Sequence, residues 1–245
     1  PYQKVTYSIF YPGTTVICAT WSLAGQFAVP YHRTDGTKAG EIVVMINLPQ
    51  LPPQNGSGTQ GSLDLSKCPS SVNGTWTSSL SARFARGEKF VVMASSPGVA
   101  EPTSWQVDSI RFTYDKQDSY YFPGGTGIGI VTVSSRSPDM LSIRAGYKQA
   151  YSCNATTDLT LAAPGQIPIP FSYKDMLLNP FTTSSTIGST TDCPVYPGPG
   201  VYTTPFPGPS RSSSKMLHNT VGTILDRLLR VAAILIMTTI WNPYL

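Results

Sequence analysis

The sequence predicts an all-β protein of antiparallel sheets, a sandwich or prism, followed by a Pro/Gly-rich linker and a C-terminal apolar helix. Three observations carry this. Short runs of alternating apolar and polar residues recur at near-regular spacing, divided by turn residues. No ten-residue stretch before residue 215 shows clear helical periodicity. Charged residues make up only 12% of the 245-residue chain, about half the usual share, and Ser, Thr, Gly and Pro take their place. That balance suits an extracellular or luminal β-protein better than a cytosolic enzyme.

Val5 to Phe10 alternates and reads as a first strand, closed by the turn Tyr11-Pro-Gly. Val16 to Trp21 is a second, carrying Cys18, and Phe27 to Tyr31 a third, broken by Pro30. The polar stretch from His32 has Asp35-Gly36 at its tip. Glu41 to Leu48 is β-branched, short and closed by Pro49. Pro49 to Ser62 reads as a long exposed loop, and Leu63 to Cys68 brings the second cysteine. Trp76 to Phe84 and Lys89 to Ala94 form a hairpin about Arg86-Gly87-Glu88. Within Trp105 to Pro123, Trp105 and Val107 alternate in one phase and Ile110, Phe112 and Tyr114 in the other. This predicts a strand with a bulge near Asp108-Ser109, then a polar turn from Asp115 to Asp118. Strands follow at Ile128 to Ser134, Leu141 to Ile143, Tyr147 to Cys153, Asp158 to Ala162 and Phe171 to Phe181.

Residues 1–194 are thus expected to form the β domain, 195–220 a Pro/Gly/Ser-rich linker and 221–245 a membrane-anchoring helix. Six prolines fall between Pro194 and Pro209, which makes that stretch too rich in them to join a core. Val221 to Trp241 is long enough to span a bilayer. Asp226, Arg227 and Arg230 oppose insertion at up to about 3 kcal/mol each near a bilayer centre, and less toward the end where they lie. The segment is expected to contact membrane by spanning it, lying in its interface, or serving as the signal for a lipid anchor. The chain opens at Pro1 without an apolar signal core, which fits a processed start or a fragment.

Four cysteines are present, Cys18, Cys68, Cys153 and Cys193. None lies in a Cys-x-x-Cys motif, which argues against zinc. Their even number, beside three glycosylation acceptors at Asn55, Asn73 and Asn154, predicts two disulfides and N-linked glycans in an oxidising compartment. Four cysteines allow three pairings. The net charge of +4 is scattered, with no basic stripe, so no nucleic-acid partner is expected.

Catalytic chemistry finds little support. The chain has two histidines, His32 in a polar loop and His218 past the linker, and no Gly-x-Ser-x-Gly. Asp108, Asp115, Asp118 and Asp139 fall at a bulge or turns, where carboxylates commonly form turns. Gly124 to Gly129 lacks the lysine of a phosphate loop and precedes a strand rather than a helix. No catalytic residue, metal or cofactor is expected.

Several stretches, in order, carry a resemblance. They are VICATWSLAGQFAVPY at Cys18, GSLDLSKC at Cys68, LSARFARGEKFVVMA, WQVDSIRFTYDKQDSYYFP, YKQAYSC at Cys153, and LLNPF followed by Asp192-Cys193. Together they resemble the luminal domain of the lysosome-associated membrane glycoprotein (LAMP) family from about Thr14 to Cys193. The resemblance implies a β-prism of two antiparallel sheets in a heavily N-glycosylated domain facing a lysosomal or endosomal lumen, with the cell surface as a further location. It implies sequential disulfides, Cys18 to Cys68 and Cys153 to Cys193. It implies one membrane helix, no enzymatic activity, and contacts with other membrane or luminal proteins, self-association among them. Two rival functions follow from the same residues: an accessory subunit of the vacuolar proton-pumping ATPase, whose luminal fold is related, and a secreted β-sandwich hydrolase. The chain departs from the family pattern in the 27 residues between Cys193 and Val221 and in the ending Trp-Asn-Pro-Tyr-Leu.

Overall fold

In the computed structural model, residues 2–33, 40–52, 61–97, 103–135, 142–182 and 189–193 are described. Their regular structure is all strand, in two seven-stranded sheets. The linker, the apolar C-terminal segment and Asn55 lie outside the described residues. Among those described, no helix is long and apolar enough to cross a membrane.

The first sheet is built on β2 (Ile17–Arg33), a 17-residue strand. β1 (Lys4–Phe10) pairs with its first half and β3 (Gly40–Asn47) with its second half, on the same edge. β13 (Ile169–Asn179) pairs along the other edge from Thr20 to Phe27. Beyond β13 lie β12 (Thr157–Leu161) and β11 (Ala150–Cys153), and β11 pairs in turn with β14 (Thr190–Asp192). Two sequence-predicted strands are therefore one, and Pro30 does not interrupt it. The carbonyl of His32, two residues on, points away from β3 and accepts from the Thr126 N–H at 3.1 Å. By the alternation of a strand, the missing N–H of Pro30 points the same way, past the end of β13 pairing at Phe27. Gly25 marks the junction of β1 and β3. A Cβ there would meet Leu48 Cδ1 at 2.6 Å and Phe171 Cε2 at 2.9 Å, so only glycine lets those side chains close over it.

The second sheet runs through β6 (Thr75–Phe84), β7 (Lys89–Pro97) and β8 (Ser104–Asp115). β4 (Gly61–Ser62) and β5 (Lys67–Val72) share the outer edge of β6. β9 (Ile130–Ser134) and β10 (Arg144–Gly146) share the outer edge of β8. The bulge expected in β8 is present. Met93 faces Ser109 and Ala94 faces Val107, which leaves Asp108 as the extra residue. Its carboxylate accepts from Ser95 Oγ at 2.7 Å. The bulge restores alternation, so that Trp105, Val107, Ile110, Phe112 and Tyr114 are all buried.

Both sheets are antiparallel as expected, apart from one short pair in which β14 runs parallel to β11. The chain between them makes β12 and β13, and this crossover returns β14 in the same direction as β11.

The core lies where the sheets face each other. Phe27 of β2 stacks on Phe112 of β8, centroids 3.9 Å apart and 9° from parallel. Phe171 of β13 stacks on Phe27 at 4.6 Å, and Phe90 of β7 meets Phe27 edge-on at 5.7 Å. All four rings are fully buried. Truncating Phe112 to Ala removes the central ring of the second sheet and leaves a cavity against Phe27. Denaturant unfolding of Phe112→Ala should show a loss of about 3–5 kcal/mol; a loss below about 1 kcal/mol would mean that the rings do not hold the sheets together.

Candidate functional site

The sequence-predicted sites are four cysteines and three asparagines. Cys18 lies in β2 and Cys68 in β5, so their disulfide joins the two sheets, with Cα atoms 5.4 Å apart. Cys153 ends β11 and Cys193 follows β14, so their disulfide closes the parallel pair at the rim of the first sheet, Cα atoms 5.0 Å apart. The Cys193 N–H also donates to the Ser152 carbonyl at 2.8 Å, continuing the ladder to the cystine. The pairing is the sequential one that the family resemblance implied.

Asn73 sits at the tip of the β5–β6 hairpin. Val72 faces Thr75, and Asn73 and Gly74 have φ of 52° and 80°. Both central residues of this two-residue turn are left-handed, as a type I′ turn requires and Asn-Gly favours. The Asn73-Gly74 pair was the sequence signal for this hairpin. The Asn73 side chain is exposed, as is that of Thr75 two residues on. Asn154 directly follows β11, in the three-residue connection to β12, and is exposed together with Ala155 and Thr156. Both acceptors therefore stand clear of the core.

The carboxylates are occupied as turn and bulge formers. Asp115 Oδ1 accepts from the Gln117 N–H at 2.9 Å, and Asp118 Oδ1 from the Tyr120 N–H at 2.9 Å. Asp108 serves the bulge, and Asp139 lies outside the described residues. Gly125 and Gly127 line a cavity of about 100 Å³ with Tyr31, His32, Lys116 and Gln166. Lys116 Nζ donates to Gln166 Oε1 at 2.7 Å, so the one amine in its wall is already engaged. The cavity is small beside the roughly 300–1,000 Å³ of ordinary ligand sites.

A second surface was not anticipated. On the outward face of the first sheet, Val43 is 54% and Met45 49% exposed, facing Pro30 and Ala28 of β2 across the ladder. The signal was in the run Ile42-Val-Val-Met-Ile46, which carries apolar side chains in both phases of the strand rather than one. The two faces of this edge strand are apolar, and only Ile46 is fully buried among those five residues.

Two solved structures share this architecture. The membrane-distal domain of mouse lysosome-associated membrane protein 2 (LAMP-2) aligns with a TM-score of 0.59 at 17% identity, over 77% of this chain and 98% of that one. The membrane-proximal domain of mouse lysosome-associated membrane protein 1 (LAMP-1) aligns at 0.52 and 14% identity, over 79% and 98%. No family model matches the chain, and no curated protein matches it by sequence. The chain has the fold of these luminal domains.

The two disulfides close loops of 50 and 40 residues. In the chain-entropy model each contributes roughly 3–4 kcal/mol. Replacing Cys18 and Cys68 together by Ala should lower stability by about that amount and loosen the two sheets from one another. Replacing Cys153 and Cys193 should act mainly on β14. Peptide mapping without reduction checks the connectivity, and a Cys68–Cys153 peptide would contradict it.

Proposed function

We propose that the chain is the glycosylated, non-catalytic luminal domain of a lysosomal or endosomal membrane protein, which shields the membrane and contacts other membrane or luminal proteins. The observation that carries this reading is the two-sheet fold shared with the LAMP-2 membrane-distal domain over most of both chains. Three features of this chain support it. One cystine ties the sheets together and the other closes the rim. Asn73 and Asn154 stand exposed for glycans. The turn carboxylates are engaged by backbone N–H groups. The mechanism is physical. Protease attack needs an opened chain, and cross-links disfavour opening while glycans cover what remains accessible.

A second reading, an accessory subunit of the vacuolar proton pump, draws on the half-exposed Val43 and Met45, since a fixed complex would cover such an apolar face. Co-purification of pump subunits after mild solubilisation would select it over the first.

Expressed in a secretory host, the protein should run as a diffuse band that sharpens and shifts after enzymatic removal of N-glycans. Asn73→Gln and Asn154→Gln should each remove one glycan step, and the double variant two. Microscopy should place the protein with lysosomal markers. An unshifted band together with a cytosolic distribution would overturn the proposal.

A further inference from the structure

Two turns meet at one end of the second sheet. The first joins β6 to β7, with the Gly87 N–H on the Phe84 carbonyl at 3.1 Å and the Phe84 N–H on the Glu88 carbonyl at 2.7 Å. The second follows β8. Its Asp118 N–H donates to the Asp115 carbonyl at 3.2 Å, and its Phe122 N–H to the Asp118 carbonyl at 2.8 Å. Arg86 of the first turn reaches the second. Its Nη1 donates to Asp118 Oδ1 at 3.2 Å, and its guanidinium lies 4.3 Å from the centre of the Tyr120 ring.

Beneath this contact lies Glu88, only 1% exposed. Among the described residues no donor from another residue reaches either of its carboxyl oxygens, and none reaches Oδ2 of Asp118. Asp118, held from above by Arg86, is a near neighbour that acts on the Glu88 carboxyl both by its charge and as a hydrogen-bonding partner. Two ionised carboxylates in that position accept only and repel. A single proton converts the repulsion into an O–H···O bond. The proton belongs on Glu88, because Asp118 Oδ1 already accepts from Arg86 and from the Tyr120 N–H.

We propose that Glu88 and Asp118 form a covered acid–carboxylate pair that holds one proton and clamps the 84–88 turn to the 115–122 turn more firmly as the pH falls. Burial pushes the Glu88 carboxyl above its ordinary range and Asp118 adds to the effect, while the Glu88 backbone N–H and Arg86 oppose it. A carboxyl whose folded value is raised binds its proton better in the folded state. Its contribution to stability is therefore complete below the unfolded value and is lost as the pH rises through the folded one. The charged and titratable groups around the pair are Asp118, Arg86 and the phenols of Tyr120 and Tyr121. Burial raises the Tyr121 phenol, so it stays neutral through the acid-to-neutral range.

The clamp bears on the domain's aromatic end. Phe122, in the clamped turn, packs on Tyr114 of β8 at 5.6 Å and on Tyr31 of β2 at 5.4 Å. Losing the proton leaves two facing carboxylates under this contact and loosens the 115–122 turn.

The test is hydrogen exchange of segment 115–122 in the full chain at pH 5 and pH 7.5, corrected for intrinsic rates, with thermal melting alongside. The wild type should protect the segment more strongly at pH 5. Glu88→Gln keeps a donor toward Asp118 without a charge, so it should remove the pH difference and melt about 2 °C or more above the wild type at pH 7.5. Carbon-13 NMR of the wild type should show the Glu88 carboxyl titrating above the ordinary range, a reading that does not depend on a variant folding. An ordinary Glu88 titration would overturn the proposal, as would an unchanged pH difference in Glu88→Gln. Protection of the segment by calcium at pH 7.5 in the wild type, lost in Glu88→Gln, would instead make this a cation site.

Discussion

The face-to-face stack of Phe27 on Phe112 is the contact on which the rest of the domain depends. Each ring belongs to a central strand of a different sheet, so the pair fixes the distance and the register between sheets at once. Phe171 and Phe90 then complete the cluster from the neighbouring strands. Such a stack requires both strands to present these residues inward. In β8 that is achieved by the Asp108 bulge, without which Phe112 would be out of phase with Trp105 and Val107. In β2 plain alternation turns Phe27 inward with Trp21, Leu23 and Val29, and Gly25 gives Leu48 and Phe171 the room to close over the backbone beside it.

The two disulfides work at different levels of this arrangement. Cys18–Cys68 repeats covalently, at one end, what the aromatic cluster does by packing: it ties β2 to the opposite sheet. Cys153–Cys193 holds a three-residue parallel strand that would otherwise be a weak rim. Asn73 and Asn154 lie outside the face-to-face region, exposed at a hairpin tip and in a short strand connection.

Much of the fold was legible in the sequence because a strand period is strict. The phase switch in Trp105 to Tyr114 located the bulge, and Phe171 to Phe181 read as strand despite helix-favouring content because Pro170 and Pro180 confine it. Three features were not legible. Pro30 looks like a strand end, and only the position of β13 shows that its missing N–H faces no partner. The parallel pairing of β14 depends on a crossover that no local pattern encodes. The Arg86–Asp118 hydrogen bond joins residues 32 positions apart on two turns, each of which looks locally complete. Of the candidate sites, the cystine pairing came through family resemblance rather than spacing. The Asn73 hairpin was open to a stricter reading of Asn-Gly, and the outward apolar face of β3 to a stricter reading of its two phases.

If the aromatic stack joins the two sheets, they open as one cooperative unit. Native-state hydrogen exchange tests it most directly. The slowest amides of β2 and of β8 should exchange with the same free energy, equal to that of global unfolding, because neither strand can open while the rings remain stacked. If β6, β7 and β8 exchanged together at a distinctly lower free energy than β2 and β13, the sheets would be separate units, and the account would be contradicted.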